Sequence, residues 1–215
     1  MHPSKQWLQE TRARAAVEAL RRNGFDSLYA EDSASARRTI LDMIPAGAAV
    51  GFGGSLTLDE TGLMEALRDG PYRLINPPWV ERAVAWEERR PLRREALLAD
   101  FFLTGTNAVT MDGRLVILDS NGNRAAATLF GPGRTIVVAG ANKVVPTLEE
   151  ALDRAANLAA PANARRLNCD TPCTTTGVCS DCDCRDRICK ATVILHRRTR
   201  GLDVTVVLVG EDLGL

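Results

Sequence analysis

The stretch AAVGFGGSLTLDETGLMEAL, residues 48–67, has the pattern that decides the fold. An apolar run ends in the glycines of GFGG and leads through Ser55 into an amphipathic segment. Thr57 and Glu60 have the spacing of a capping box, in which both side chains bond backbone groups at the start of a helix. The stretch therefore predicts a buried strand, a glycine loop and a helix in immediate succession.

The same alternation is found on both sides of this unit. Upstream, residues 1–47 predict a helix, the short strand FDSLYA and a second helix capped by Ser33. Downstream, YRLIN, ADFFLTGTNAV and RTIVVAG have strand patterns, and a helical stretch over residues 77–99 is expected to break at Pro91. Strands that alternate with helices favour an α/β fold with a doubly wound, mostly parallel sheet.

Hairpins are expected later in the chain. Asp112-Gly113 separates VTM from RLVILD, as in a tight β-turn, and Thr147 with Glu150 predicts one more capped helix. Near the C-terminus, KATVILH and LDVTVVLVG predict two strands joined by the turn RRTRG. No internal repeat or low-complexity linker interrupts the chain, so residues 1–215 are interpreted as one domain, with residues 1–47 as its lead-in.

Charge and hydropathy exclude several classes of protein. Lysine plus arginine equals aspartate plus glutamate at 27 each, so no overall charge attracts nucleic acid. The N-terminus is charged and amphipathic, and no apolar run approaches the length of a membrane span. We therefore expect a cytoplasmic protein without a membrane span or nucleic-acid partner.

Polar residues follow several of the predicted strands. Gly53, Gly54 and Ser55 end the first glycine unit, and the loops TGTNAV, DSNGNR and GANK each come after an apolar strand. Ligands gather at this position in open α/β sheets, and a glycine loop before a helix start favours a phosphate or carboxylate. The predicted ligand-binding set is Gly53, Gly54, Ser55, Asn107, Asn121, Asn123, Arg124 and Lys143. Asp119 is a candidate acid or base. Taken one at a time, the residues of the ligand-binding set are also explained by structural roles in turns and loops.

All six cysteines fall in one window, CDTPCTTTGVCSDCDCRDRIC, residues 169–189. In a reducing compartment such a cluster is more often metal-binding or catalytic than disulfide-bonded. Four thiolates suit zinc or an iron–sulfur cluster. Only Cys179 and Cys182 form a CxxC pair, so the uneven spacing favours a cluster over zinc, while metal-free structural or redox-sensing thiols remain an alternative. The segment 168–190 is interpreted as a metal-binding insertion before the last strands.

Several stretches together resemble the lactate-utilisation (LUD) domain family, in the version that carries a cysteine motif. They are GFGGSLTLDETGL, TGTNAVTMDGRLVILDSNGNRAAATLFGP, VAGANKVVPTLEEALDRAANLAAPANARRL, TPCTTTGVCSDCDCRDRIC and VTVVLVGEDLGL, and they cover the chain from about Val50 to Leu215. The resemblance implies a three-layer α/β fold similar to the sugar-phosphate isomerase and coenzyme A transferase superfamily. It also implies a role in oxidising L-lactate to pyruvate together with iron–sulfur partner proteins.

The resemblance also assigns site residues. Its cysteine pattern matches Cys173, Cys179, Cys182 and Cys189, which implies these four as ligands of a 4Fe-4S cluster and leaves Cys169 and Cys184 as additional thiols. Its loops match Gly53–Ser55, Asn107, 121–124 and Asn142-Lys143, without a settled catalytic residue. A small anionic substrate is expected, and association of identical chains is left open. A non-redox enzyme for a sugar phosphate or acyl thioester, with Asp119 or Glu60 as acid–base, and a zinc-stabilised protein-binding module are the alternatives.

Overall fold

The strands form two sheets. A computed structural model describes residues 2–215, and within them the chain has ten strands: β1 (Asp26–Ala30), β2 (Ala49–Phe52), β3 (Arg73–Leu74), β4 (Phe101–Gly105), β5 (Ala108–Thr110), β6 (Leu115–Asp119), β7 (Arg134–Gly140), β8 (Val144–Val145), β9 (Ala191–Leu195) and β10 (Asp203–Val209). Six of them form an entirely parallel sheet in the order β1-β10-β7-β4-β2-β3. The other four form a small mixed sheet in the order β8-β5-β6-β9. The predicted α/β class with a mostly parallel sheet is confirmed.

Helices connect most of these strands. The same residues form ten α-helices: α1 (Pro3–Arg22), α2 (Ser33–Met43), α3 (Leu56–Glu60), α4 (Leu63–Asp69), α5 (Pro78–Ala83), α6 (Trp86–Ala96), α7 (Asn123–Leu129), α8 (Leu148–Asp153), α9 (Ala160–Arg166) and α10 (Cys173–Thr176). A π-helical turn at Arg154–Ala159 joins α8 to α9. Pro161 has no N–H to donate to the carbonyl four residues earlier, which accounts for the wider turn. Within the described residues, no helix is both long and apolar enough to cross a bilayer.

The large sheet is the middle of three layers. Side chains of a strand alternate between its two faces, and β10 buries both sets. Val206 and Leu208 pack in a core with α1 and the small sheet, whereas Val207 and Val209 pack on the other face with α2, α3 and α4. The predicted lead-in, residues 1–47, belongs to this stack because β1 pairs with β10; its Met1 lies outside the described residues.

The two strands nearest the C-terminus do not form the expected hairpin. β9 pairs with β6 in the small sheet, whereas β10 crosses to the large sheet and pairs with β1 and β7. The basic turn between them contacts another element. Arg198 donates through its backbone N–H to Asn23 O (3.0 Å) and through Nε to Gly24 O (2.9 Å), so it connects this turn to the end of α1.

Three local helix predictions also differ from the structure. α3 begins two residues earlier than predicted: its N-cap is Ser55 instead of Thr57. Thr57 therefore lies inside the helix, and its hydroxyl contacts another element. Asp32, not Ser33, caps α2 and accepts from Ser35 N at 2.7 Å. Pro91 lies within α6, and the chain breaks instead at Val84–Ala85, where both residues have extended backbone.

Candidate anion-binding site

Three neighbouring strands of the large sheet end at one edge. Residues 53–55 follow β2, residues 106–107 follow β4, and residues 141–143 follow β7. Residues 120–124, which comprise the loop after β6 of the small sheet and the first two residues of α7, approach the same edge. The structure therefore brings together the four loops that sequence patterning assigns to ligand binding.

These loops border a cleft of about 870 Å³. Seven of the eight predicted ligand-binding residues line it: Gly54, Ser55, Asn107, Asn121, Asn123, Arg124 and Lys143. Gly53, the eighth, lies behind the lining and contacts the stem of Arg124. The structure therefore places the predicted residues together at one cleft. Their contact with a ligand stays a prediction.

The lining is strongly basic although the chain has no net charge. It includes nine lysine or arginine side chains and only three carboxylate side chains, from Glu81, Asp119 and Asp186. A cleft lined mainly by charges of one sign focuses the electrostatic potential and attracts ions of the opposite charge. The cleft is therefore suited to a ligand with one or more carboxylate or phosphate groups.

Lys143 is the most deeply placed cation of the cleft. Its side chain is 3% exposed, and Nζ donates to Thr57 Oγ1 (2.8 Å) and to Thr106 O (3.3 Å). Burial, reinforced by the guanidinium groups of Arg154 and Arg124, lowers the pKa of Lys143 to about 7. The amine therefore divides between its charged and neutral forms near neutral pH, and an anion in the cleft would favour the charged form.

Arg124 connects two of the loops. Its Nη2 donates to Leu118 O and to Asn107 Oδ1 (3.4 Å), while its stem passes over Gly53. Burial lowers the pKa of Arg124 and nearby Asp119 opposes that shift, but a guanidinium stays charged at any physiological pH. Arg124 therefore supplies a permanent positive charge and also fixes the shape of the cleft.

Gly53 and Gly54 provide a matched pair of test positions. A Cβ on Gly53 would lie 2.6 Å from Arg124 Cγ and 2.7 Å from Thr104 Oγ1, whereas a Cβ on exposed Gly54 would meet nothing within 4 Å. We expect Gly53→Ala to lower the free energy of unfolding by about 1–3 kcal/mol through overpacking and to weaken anion binding by displacing Arg124. Gly54→Ala should leave the free energy of unfolding unchanged. Urea unfolding compares the two variants, anion titration measures the loss of binding in Gly53→Ala, and equal losses of stability in the two variants would contradict this account.

The two candidate acid–base residues have structural partners. Asp119 is 5% exposed, and its carboxylate accepts from Asn121 N (3.2 Å) and Ala125 N (3.0 Å), which orders the loop before α7. Glu60 accepts from Gly214 N at 2.6 Å and lies outside the cleft lining. Of the two, only Asp119 could contact a ligand, and both its oxygens already accept hydrogen bonds.

Arg154, which the sequence pattern does not single out, supports two of the loops. It is 8% exposed and donates to Asn107 O (2.6 Å) and to Asn142 O (3.2 Å) from the π-helical turn. In the sequence, Arg154 is an ordinary charged residue of a helical segment. Its side chain points into the protein because of the π-helical turn, which the sequence pattern does not predict. It is a positioning residue, since it holds backbone carbonyls and is absent from the cleft lining.

The cysteine window is a loop with one short helix, α10, and all six of its thiols are unbonded and half-buried. Cys182 Sγ and Cys184 Sγ are 3.3 Å apart, and Cys173 Sγ lies 3.2 Å from Thr171 Oγ1. Within residues 2–215, no three or more His, Cys, Asp or Glu side chains are arranged as a metal site. The structure therefore does not gather the predicted ligands Cys173, Cys179, Cys182 and Cys189.

The donor chemistry of the window nevertheless fits a thiolate-bound metal. Two thiolates on one tetrahedral metal lie roughly 3.8 Å apart, so Cys182 and Cys184 need only a small adjustment to share an ion. Arg187 orders this part of the loop by donating to Cys182 O (2.8 Å) and Cys189 O (2.9 Å) and by pairing with Asp181. Cys184, which lies outside the family's cysteine pattern, is thus the thiol that contacts a predicted ligand, Cys182.

The cysteine window and the cleft are adjacent. Cys169, Arg185 and Lys190 line the cleft, and Lys190 N donates to Asp119 O at 3.1 Å. The basic residues of the window therefore belong to one wall of the anion cleft, a proximity that their separation in sequence does not reveal.

A comparison with protein families decides the affiliation of the chain. The model of the LUD domain matches residues 13–209. The chain belongs to the LUD domain family. This family is associated with lactate utilisation. No protein with a curated description matches the chain.

This LUD domain also resembles a solved structure. A crystal structure of a DUF162 family protein from Deinococcus radiodurans aligns with a TM-score of 0.52, covering 93% of this chain and 98% of that chain at 15% sequence identity. At this identity the similarity supports the fold alone.

Helices α5 and α6 of this LUD domain contribute to the cleft without having been predicted to do so. Trp86, Arg89 and Arg93 of α6, with Glu81 and Arg82 of α5, all line it. Their sequence is typical of a charged, solvated helix, so periodicity alone offers no signal of a site. The many arginines around an exposed tryptophan are the feature that could have indicated one.

Proposed function

We propose that this LUD domain binds the carboxylate of L-lactate or pyruvate as a component of lactate oxidation in the cytoplasm. The observation that supports this proposal is the cleft itself, in which basic side chains outnumber carboxylates three to one at the carboxyl ends of β2, β4 and β7. Lactate oxidation removes a pair of electrons and a pair of protons from the substrate. In the proposal, iron–sulfur partner proteins accept the electrons.

Lys143 and Arg124 would neutralise the bound carboxylate. Arg124 carries a permanent charge, and Lys143 becomes fully charged when an anion approaches. Ser55 and Asn107 also line the cleft and offer neutral hydrogen-bonding groups.

Calorimetric titration with pyruvate and L-lactate tests this function. We expect saturable binding to the purified protein, with loss of affinity as the salt concentration rises, because the attraction is electrostatic. Lys5→Met, which removes an exposed lysine of α1, should leave binding unchanged and is the matched control for changes at Lys143. An absence of binding by either acid at low salt would exclude the proposed site.

The cysteine window would hold a metal centre, with a 4Fe-4S cluster as the first choice and zinc as the alternative. Cys182 with three of the remaining thiols would ligate it, and Cys173, Cys179 and Cys189 are the ones that the family pattern favours. A four-iron cluster supplies one-electron transfer when bound, whereas zinc supplies only structural support.

Metal analysis after anaerobic purification distinguishes these choices. A cluster should give a brown protein whose visible absorption bleaches on reduction. Cys182→Ser should remove the metal, whereas Cys169→Ser, at a thiol on the cleft side of the window, should retain it. Colourless protein with one zinc per chain would exclude the cluster, and metal-free protein would exclude both centres.

The size of the cleft favours one alternative ligand class. A volume of about 870 Å³ lies in the range of pockets for drug-sized ligands and far exceeds a three-carbon acid. A phosphorylated or thioester-bearing substrate would use this space more fully. Titration with inorganic phosphate beside pyruvate discriminates the two classes, because only a phosphate-adapted site should prefer the phosphate.

A further inference from the structure

We propose that Trp86 and the arginines of α6 form a subsite for a nucleotide, with Trp86 stacking on the base and Arg90 and Arg94 binding phosphate. This inference rests on the proposed anion cleft and extends it, because it names a ligand class that the loops after β2, β4 and β7 do not by themselves imply.

A second cavity adjoins the anion cleft. Its volume is about 340 Å³, and Trp86, Arg90, Arg94 and Gly122 are among the residues that line it. The two cavities share Trp86, Arg93, Asn121 and Asn123 in their linings. A ligand could therefore extend from one cavity into the other past the indole ring.

The ring of Trp86 is exposed and held in place. It is 60% exposed, and the guanidinium carbons of Arg89 and Arg93 lie 5.8 and 5.3 Å from its centroid. These two arginines are themselves fixed: Arg93 pairs with Glu81 at 2.9 Å, and Arg89 donates to Val84 O at 3.3 Å. A fixed aromatic surface open to a cavity is a suitable platform for stacking of a planar ring.

Arg90 and Arg94 are available to an anion. They are four residues apart on α6, hence on one face of the helix, and both are exposed. Neither side chain forms an ion pair or hydrogen bond with any residue in the range 2–215. Guanidinium groups in this arrangement bind phosphate oxygens through several hydrogen bonds.

The combination selects the ligand class. A simple organic acid has no ring to cover Trp86, and a purely aromatic ligand would leave the arginines unpaired. A planar base joined to phosphate satisfies both, and the side-chain amides of Asn121 and Asn123 could bond polar groups of the base or sugar.

Titrations with AMP, adenosine and inorganic phosphate test the subsite, with calorimetry and tryptophan fluorescence as readouts. We expect AMP to bind at least tenfold more tightly than phosphate. Trp86→Leu should weaken AMP binding by about 5- to 150-fold, the range for loss of one stacked base, and leave phosphate binding unchanged. Trp86→Phe should retain most of the affinity, and Trp7→Leu, at an exposed tryptophan of α1, is the matched control.

The charged half of the subsite needs separate variants. Arg90→Gln combined with Arg94→Gln should weaken AMP binding without changing adenosine binding, whereas Arg38→Gln, at an exposed arginine of α2, should change neither. AMP binding no tighter than phosphate, or unaffected by Trp86→Leu, would overturn the nucleotide subsite. Pyruvate binding that depends on Lys143 would survive that result, so the two proposals fail independently.

Discussion

Replacing Lys143 by methionine is expected to weaken pyruvate binding at pH 7 by at least 30-fold, because removal of one buried partner of a charge pair costs about 2–5 kcal/mol. The methionine fills a similar volume but cannot neutralise a carboxylate at the ends of β2, β4 and β7. Calorimetric titration measures the change against Lys5→Met. Affinity within threefold of wild type would remove Lys143 from the proposed site.

The same substitution should change how stability depends on pH. In the folded chain the pKa of Lys143 is about 7, below its ordinary value of 10.5, so the unfolded chain binds more protons between these values. Stability of the wild type should therefore rise with pH in this window, by about 2 kcal/mol from pH 7 to pH 9 for this one group. Lys143→Met should lack that rise, and urea unfolding at the two pH values measures it.

Anion binding should have the opposite dependence on pH. A carboxylate is bound by the charged amine, so affinity for pyruvate should decrease as pH rises above the pKa of Lys143 in the free protein, which is about 7. Lys143→Met should show a flatter profile. A wild-type affinity that is constant from pH 6 to pH 9 would contradict the assignment of Lys143 as the cation that titrates.

Gly113→Ala is expected to destabilise the fold by about 2–5 kcal/mol, the sum of left-handed strain and overpacking. Gly113 has φ +84°, and a Cβ there would lie 2.5 Å from Ala19 C and 2.6 Å from Leu20 N. Both contacts are with the backbone of α1, which cannot rotate away as a side chain can. Thermal and urea unfolding measure the loss.

Gly47→Ala separates the two causes of that loss. Gly47 has φ +82°, but a Cβ there would meet nothing within 4 Å. It should therefore show only the conformational strain, about 1–2 kcal/mol. Equal losses at Gly47 and Gly113 would mean that the contact between the hairpin and α1 contributes nothing.

Local signals predicted much of the fold. The run 48–54 predicted β2 and its glycine loop, and Asp112-Gly113 predicted the turn between β5 and β6. Both predictions were possible because an apolar strand and a turn with positive φ each require particular residue types at neighbouring positions. The contact between Gly113 and α1 could not be predicted in this way. It joins residues about 90 positions apart, and hydrophobic periodicity does not show which distant residues will be in contact.

The same limit applies to strand pairing and to the cleft. β9 and β10 have strand patterns with a turn between them, which favours a hairpin, yet each finds a better-buried partner elsewhere in the fold. The polar loops after β2, β4 and β7 could be placed at one edge because parallel strands share it. The contributions of α6 and of the cysteine window to the cleft depend on packing between segments that are far apart in the chain. Patterns of neighbouring residues do not reveal such packing.

The position of β10 has a consequence for biosynthesis. β1 has no strand neighbour other than β10, so the strand formed from residues 26–30 stays unpaired until residue 203 and those after it have been made. At typical rates of translation that interval is roughly 10 to 35 s. During it, β1 has unpaired backbone groups and exposed apolar side chains, and so, once it has been made, does the edge of β7 that β10 later covers. Under these conditions nascent chains aggregate or recruit chaperones. The cysteine window emerges within the same interval, so a metal can reach its thiols before the large sheet is complete.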